Sequence, residues 1–200
     1  MNEVHMNIRA YNPSDEMSWV HCRAVAFLDC SLCNDIRTEK EKYLQPDLCL
    51  VAEENGQIIG ILDAELDSYD LACAGEERGA VIWHLAVLPE FRRQGVAKAL
   101  WNKLQAQLIN EGIHYCETWT QEDDAANSFF RDMGFAQEKS QTWLKCRANA
   151  AGIESMISNS AMDGIFGVEE LVFNAPVMRR EELAPLCDRM DEVRLYSKHF

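Results

Sequence analysis

The stretch VLPEFRRQGVAKAL, residues 87–100, sets two adjacent arginines and one glycine ahead of an unbroken run of helix formers, in a chain whose formal net charge is −14. The segment before it, AVIWHLAVL (80–88), is short and almost wholly apolar, the pattern of a central strand covered on both faces. The segment after it is helical: Val96, Leu100, Leu104 and Leu108 recur every four residues with Trp101 beside them, and Gly112 closes the run. A strand that ends at Leu88-Pro89 and turns into a helix presents several backbone N–H groups with no intrahelical partner. Such a turn is an anion site: Gly95 lets the backbone approach a ligand without a Cβ in the way, the helix dipole favours negative charge, and Arg92, Arg93 and Lys98 add long-range attraction to a phosphate. On spacing alone, solvated arginines and a glycine that only eases the helix start remain the alternative. The stretch is neither a P-loop, since the Gly-Lys-Ser/Thr ending is missing, nor a dinucleotide fingerprint, since one glycine of three is present.

Working outward, IHYCETWT reads as a further strand, DDAANSFFRDMGF as a helix opened by acidic residues and closed by Gly134, and TWLKCRA as another strand. Strand, helix, strand, helix, strand with short connections predicts an α/β (α+β) arrangement with parallel neighbours. Upstream, LCLVAEENGQIIGILDAEL holds two β-rich runs around Asn55-Gly56, a dipeptide suited to a tight hairpin. Before that, Ser14 is the expected N-cap of a first helix, with Asp15 and Glu16 well placed for its dipole. LDSYDLACAGEERG reads as a loop. Beyond residue 150 the pattern weakens: AGIESMISNSAMDGIFGVEE is mixed, LVFNAP suits a strand, REELAPLCDRM a short helix interrupted by Pro185, and VRLYSKHF pairing with a sheet edge.

Two hundred residues suffice for one domain with a core, or a domain with an appended segment. With 48% apolar and 26% charged residues the chain reads as soluble and globular. No apolar run reaches the roughly 18 residues of a membrane span, and the N-terminus lacks the pattern of a secretory signal, so the expected location is the cytoplasm. The eight cysteines then read as thiols. Cys30 and Cys33 have the spacing of half a zinc site, but no second half follows, and no metal is expected. Charge is uneven: residues 1–80 carry 16 acidic and 6 basic side chains, residues 81–149 carry 8 of each, and residues 150–200 carry 9 and 5. One short basic patch in an acidic chain excludes a nucleic-acid partner, which needs a positive footprint over many contacts.

HLAVLPEFRRQGVAKAL (84–100) resembles the acetyl-coenzyme A signature of the GNAT superfamily of N-acetyltransferases, here as Arg92-x-x-Gly95-x-Ala97. AANSFFRDMGF (125–135) resembles the family's second motif, in the family's order and separation, and the resemblance covers roughly residues 5–147. It implies a mixed, centrally splayed β-sheet flanked by helices, with a GNAT-like domain over 1–147 and a C-terminal extension over 148–200 packed on it. That extension completes the sheet, covers the acceptor cleft or forms a homodimer contact, and the sequence does not choose. The resemblance further implies that acetyl-coenzyme A lays its pyrophosphate on the amides of Arg93, Gln94, Gly95, Val96, Ala97 and Lys98, and runs its pantetheine arm beside Leu85, Ala86 and Val87 as an added strand. A neutral amine, from a small molecule or a peptide, would attack the thioester directly.

Two positions depart from the family. The tyrosine that protonates the leaving thiolate in many members is Phe130 here, and an asparagine that contacts the cofactor is Asp123. A glutamate base on the later strand aligns with Thr118, not with its neighbour Glu117, which alternation points the other way. His84 is out of phase with Val81 and Trp83, the positions that carry bases on the cofactor strand of some members, and its apolar surroundings predict a packed histidine. No general base is assigned. The acceptor side of this fold falls in the acidic first third, which suggests a cationic acceptor such as a polyamine, an aminoglycoside-like amine or a lysine-containing peptide, unless the charge serves solubility. The missing hydroxyl leaves a second reading, a coenzyme A-binding regulatory or interaction domain with little or no catalysis.

Overall fold

A computed structural model describes residues 6–33, 35–68, 71–72, 78–160 and 164–200. Its centre is the hairpin of β2 (Asp47–Glu54) and β3 (Gln57–Leu66), turned by Asn55 at φ 51° and Gly56 at φ 80°. Two successive positive φ angles are what an Asn-Gly hairpin turn requires. Against β3 runs β4 (Gly79–Val87), antiparallel, and beside β4 lies β5 (Tyr115–Thr120), parallel. The connection between these two parallel strands carries α2 (Val96–Asn110).

The described strands form one eight-stranded sheet, ordered β1-β2-β3-β4-β5-β8-β6-β7, with β1 (Asn7–Ala10) at one edge, and β6 (Ala136–Ala148), β7 (Val172–Pro176) and β8 (Cys187–His199) beyond β5. The expected parallel neighbours reduce to one pair, β4 with β5, and the fold is a mixed α/β sheet flanked by helices.

Each face of β2–β4 is covered by one helix, which is why β3 and β4 are apolar nearly throughout. On one side α2 buries Val96, Leu100, Trp101, Leu104 and Leu108 against Leu50, Ile59, Leu62 and Ile82. The helix comes so close that a Cβ on Gly60 of β3 would stand 2.8 Å from Val96 Cγ1. On the other side α1 (Glu16–Phe27) buries Trp19, Cys22, Ala26 and Phe27 against Val51, Ile61, Ala86 and Leu88.

Three local expectations are corrected. Ser14 is not the first cap: Pro13 opens a short 3-10 turn (Pro13–Asp15), so Asn12 caps it, accepting the Ser14 N–H and giving its own N–H to the Asp15 carboxylate. VRLYSKHF does not take an edge. It is the second half of β8, inserted between β5 and β6, where Leu195 and Tyr196 are shut off from solvent. CDRM also belongs to β8, and the helix before it, α5 (Arg180–Leu183), gives way to a 3-10 turn holding Pro185. The remaining helices are α3 (Asp124–Asp132) and α4 (Ala150–Ser158). Most of the loop expected in LDSYDLACAGEERG lies outside the described residues.

Candidate functional site

Strands β4 and β5 pair from Gly79 with Tyr115 as far as Ile82 with Thr118, and there the pairing ends. Each then keeps its other neighbour: β4 stays on β3 to Val87, and β5 stays on β8 to Thr120. The two strands therefore part, leaving the β5-facing edge of β4 from Trp83 to Val87 without a partner among the described strands. At the last rung the Thr118 hydroxyl donates to the Ile82 carbonyl at 3.2 Å. The parting coincides with a bulge. Ala64 of β3 faces Ile82 but Asp63 faces His84, so Trp83 is an extra residue on β4.

Leu85, Ala86 and Val87 lie on that open edge, and the turn beyond them leads into α2. Arg93 stands at φ 62° and Gly95 at φ 86°. The first helical bond near Gly95 runs from Ala99 N–H to Gly95 O at 2.9 Å, so the N–H groups of Val96, Ala97 and Lys98 lie ahead of it. A Cβ built on Gly95 would meet nothing within 4 Å, so the turn faces open space. The result is a cradle of backbone donors at the end of an unpaired strand edge, which suits an anion with an extended tail. Arg93 and Lys98 are exposed and make no ion pair among the described residues. Arg92 differs: its guanidinium is turned to α1, bonding Asp29 at 2.8 and 3.0 Å, the Ala26 carbonyl at 2.8 Å and the Val87 carbonyl at 3.2 Å. Asp29 in turn is held below the usual carboxylate range by that bond. Gln94 closes the turn by donating to the Glu90 carbonyl.

On the α1 face the material is charged. His84 is buried against the Trp19 ring, as the sequence suggests, but both its nitrogens meet charged groups: Arg23 Nε donates to its Nδ1 at 3.3 Å and its Nε2 lies 2.6 Å from Glu41 Oε2. A guanidinium can only donate, so the imidazole proton is on Nε2, pointing at Glu41. That hydrogen bond holds the Glu41 carboxyl below its usual range. Arg23 is further fixed by the Asp35 carboxylate and carbonyl, both at 2.6 Å. Asp63, fully buried, accepts from Trp19 Nε1, Tyr43 Oη and Lys40 Nζ, and the Lys40 ammonium lies over the rings of Tyr11, Trp19 and Tyr43. Glu65 accepts the N–H groups of Leu44 and Gln45 and the Trp83 indole.

The bulge is what the strand period hides. It brings Trp83 and His84 both toward Glu65 and Trp19, while Ile82 and Leu85 pack with α2. Glu117 and Thr118 do part: Glu117, fully buried, accepts the Ala72 N–H while Thr118 reaches Ile82. Phe130 is a core residue packed on Phe135 and Tyr196 and has no proton to give. Asp123 is the N-cap of α3, accepting from Ala126 N–H. Asn127, which the sequence did not single out, ties α3 to the end of β5 through Thr120 Oγ1 and the Gln121 and Asp123 carbonyls. None of the seven described cysteines is in a disulfide, and among the described residues no three His, Cys, Asp or Glu stand together as metal ligands. No described helix is long and apolar enough to cross a membrane.

Residues 8–135 match the sequence model of the acetyltransferase (GNAT) family. An acetyltransferase of Pectobacterium atrosepticum is 36% identical over 95 residues, a match that spans 46% of this chain and 61% of that protein. Among solved structures, an N-acetyltransferase from Staphylococcus aureus Mu50 superposes with a TM-score of 0.61 at 12% identity, over 98% of both chains. The PaiA N-acetyltransferase from Thermoplasma acidophilum, in complex with coenzyme A, gives a TM-score of 0.53 at 16% identity, over 67% of this chain and 91% of its own. At these identities the structural likeness is one of fold.

Proposed function

Because the chain belongs to the acetyltransferase (GNAT) family, we propose that it moves an acetyl group from acetyl-coenzyme A to a primary amine. The observation that carries this reading is the parting of β4 from β5 immediately before the donor-lined turn at Gly95. Such a site fits the coenzyme: the open edge at Leu85, Ala86 and Val87 would take the pantetheine arm in the manner of an added strand. The amides of Arg93, Gln94, Gly95, Val96, Ala97 and Lys98 would hold the pyrophosphate, with the Arg93 and Lys98 side chains adding attraction. Arg92 belongs to this set through the turn it pins to α1.

When bound, the coenzyme supplies an activated thioester. The protein then contributes orientation in the gap and backbone N–H groups of β4 to polarise the acetyl carbonyl. No side chain is assigned as acid or base, since Phe130 and Thr118 stand where the family carries such groups; a water chain would take the ammonium proton. Loss of one acid or base group costs about 10²- to 10⁴-fold in rate. In this reading β8 makes residues 148–200 part of the same domain as residues 1–147. Seven described cysteines outside any disulfide suit the reducing cytoplasm.

A second reading, a coenzyme A-binding module without turnover, is favoured by Phe130, whose ring is buried in the core. Release of coenzyme A thiol over a broad amine panel, together with melting curves, separates the two. Thiol release with any amine supports transfer; a melting temperature raised by acetyl-coenzyme A without release supports the module; a rise with ATP alone refutes both.

A further inference from the structure

A cavity of ≈ 230 Å³ is linked to the gap where β4 and β5 part, although no residue of either strand lines it. From β4 the link is Asp35, which lines the cavity and grips Arg23, whose Nε bonds His84 two positions past the last rung. From β5 it is Gln121, the residue that follows the strand. The far wall is one face of β6 and β8: Lys145 lies opposite Asp191, and Arg147 opposite Arg189. The alternate residues Leu144 and Cys146 belong to an apolar cluster, and Cys146 also reaches the cavity wall.

The charges of this cavity are almost all engaged with one another. Arg147 pairs with Glu170 at 3.2 Å and Arg189 with Asp191 at 2.7 Å, while Asp35 holds Arg23 and Arg37. Lys145 is the exception: the residue is half-buried and its ammonium makes no ion pair or hydrogen bond among the described residues. The side-chain amide of Gln121, 9% exposed, is likewise without a hydrogen bond among them. An uncommitted cation beside an uncommitted amide is a receptor for an anion. In the acidic first third several carboxylates are already committed to partners: Asp15 and Glu53 to Arg9, Glu41 to His84, Asp63 to Lys40 and Glu65 to backbone N–H groups. The cavity's volume lies below the roughly 300 Å³ at which drug-sized pockets begin, and suits an amino-acid-sized group.

Resting on the transfer reading above, we propose that this cavity holds a carboxylate of the acceptor through Lys145 and Gln121, so that the favoured acceptor is an amine that also bears a carboxylate. Net charge is therefore a poor guide to this enzyme's substrate. The uncommitted ammonium of the cavity selects it.

The test uses the full chain, acetyl-coenzyme A and matched probes: amino acids, their carboxamides and simple diamines, followed by thiol release. The acids turn over at least tenfold more efficiently than the amides, carried by KM, since a hydrogen-bonded charged contact is worth about that much or more. Lys145→Gln brings the acid-to-amide ratio toward one, Lys145→Glu reverses it, and Lys145→Arg retains it. Lys103→Gln, on the exposed face of α2, leaves the ratio unchanged. Amides or diamines turned over as well as acids by the unaltered protein, or a ratio indifferent to Lys145, would overturn the proposal. If no amine releases thiol, the transfer reading fails by itself. Calorimetric binding of an acid and its amide to the coenzyme A-loaded protein then decides for the cavity if only the acid binds, and against it if neither binds or both bind alike.

Discussion

On one side of the gap, the turn from Leu88 to Lys98 offers backbone N–H groups oriented by two positive φ angles, and Arg92 is the side chain that pins it to the α1 side. On the other, between α1 and β3, stand Arg23, Lys40, Glu41, Asp63 and His84, mostly withdrawn from water and each satisfied by a residue distant in sequence. A backbone cradle depends little on which side chains surround it, so its loss should fall on ligand binding. Paired buried charges depend on every partner, because a charge left alone in a low dielectric is penalised heavily. Substitutions on the two sides should therefore separate into binding and folding effects.

The largest expected effect is at Asp63. Asp63→Ala leaves the Lys40 ammonium, 9% exposed, without its carboxylate, and removes the acceptor of Tyr43 and Trp19. Breaking a buried pair from one side costs about 3–5 kcal/mol, read as a lower urea midpoint at unchanged slope. Asp63→Asn keeps an acceptor for the Trp19 indole and offers an amide N–H to the Tyr43 hydroxyl oxygen, so it should lose less. A loss below about 1 kcal/mol for the alanine variant would mean that this side is as tolerant as the turn, and the contrast would fall.

Next comes Gly95→Ala. A Cβ there meets nothing, so the cost to folding is that of holding alanine at φ 86°, about 1–2 kcal/mol. The methyl projects into the space proposed for the diphosphate, so coenzyme A affinity measured by calorimetry should fall by about tenfold or more, since a displaced charge-assisted hydrogen bond is worth that much. A folding loss without an affinity loss would refute the cradle.

The same division explains what the sequence reveals. Gly95, the Asn55-Gly56 turn and the leucine stripe of α2 are local: each fixes its conformation through a few adjacent residues, and each reads correctly. The position of His84 is not local. Period-two alternation places it out of phase, and only the pairing of Asp63 with His84 and Ala64 with Ile82, a relation between strands, shows the extra residue at Trp83. β8 is legible as extended but not as internal, because β5 and β6 acquire it from more than 35 residues downstream of β6. The cavity at Lys145 draws on α1's trailing loop, β6, β7 and β8, and no spacing in the chain announces it.

The smallest effect sharpens the comparison through pH. The carboxyls of Glu41 and Asp29 both sit below their ordinary values, Glu41 chiefly through the hydrogen bond from His84 and Asp29 chiefly through that from Arg92. A carboxylate whose folded pKa is depressed adds stability above its unfolded pKa, near 4, and loses it as pH falls through the folded value. Glu41→Gln should therefore be less stable than the unaltered protein at pH 6, with the difference shrinking below about pH 4.5. Asp29→Asn should show the same sign with a smaller amplitude, about 0.5 kcal/mol or less, because its side chain is 56% exposed and solvent weakens the pair. Salt separates them: at 0.5 M the Asp29 difference should vanish, since the Debye length there is about 4 Å, while the Glu41 difference, shielded beside a histidine side chain only 6% exposed, should largely persist. Equal salt sensitivity at the two positions would show that the charges on the α1 face are solvated after all, and that the contrast in material on the two sides of the gap has no energetic counterpart.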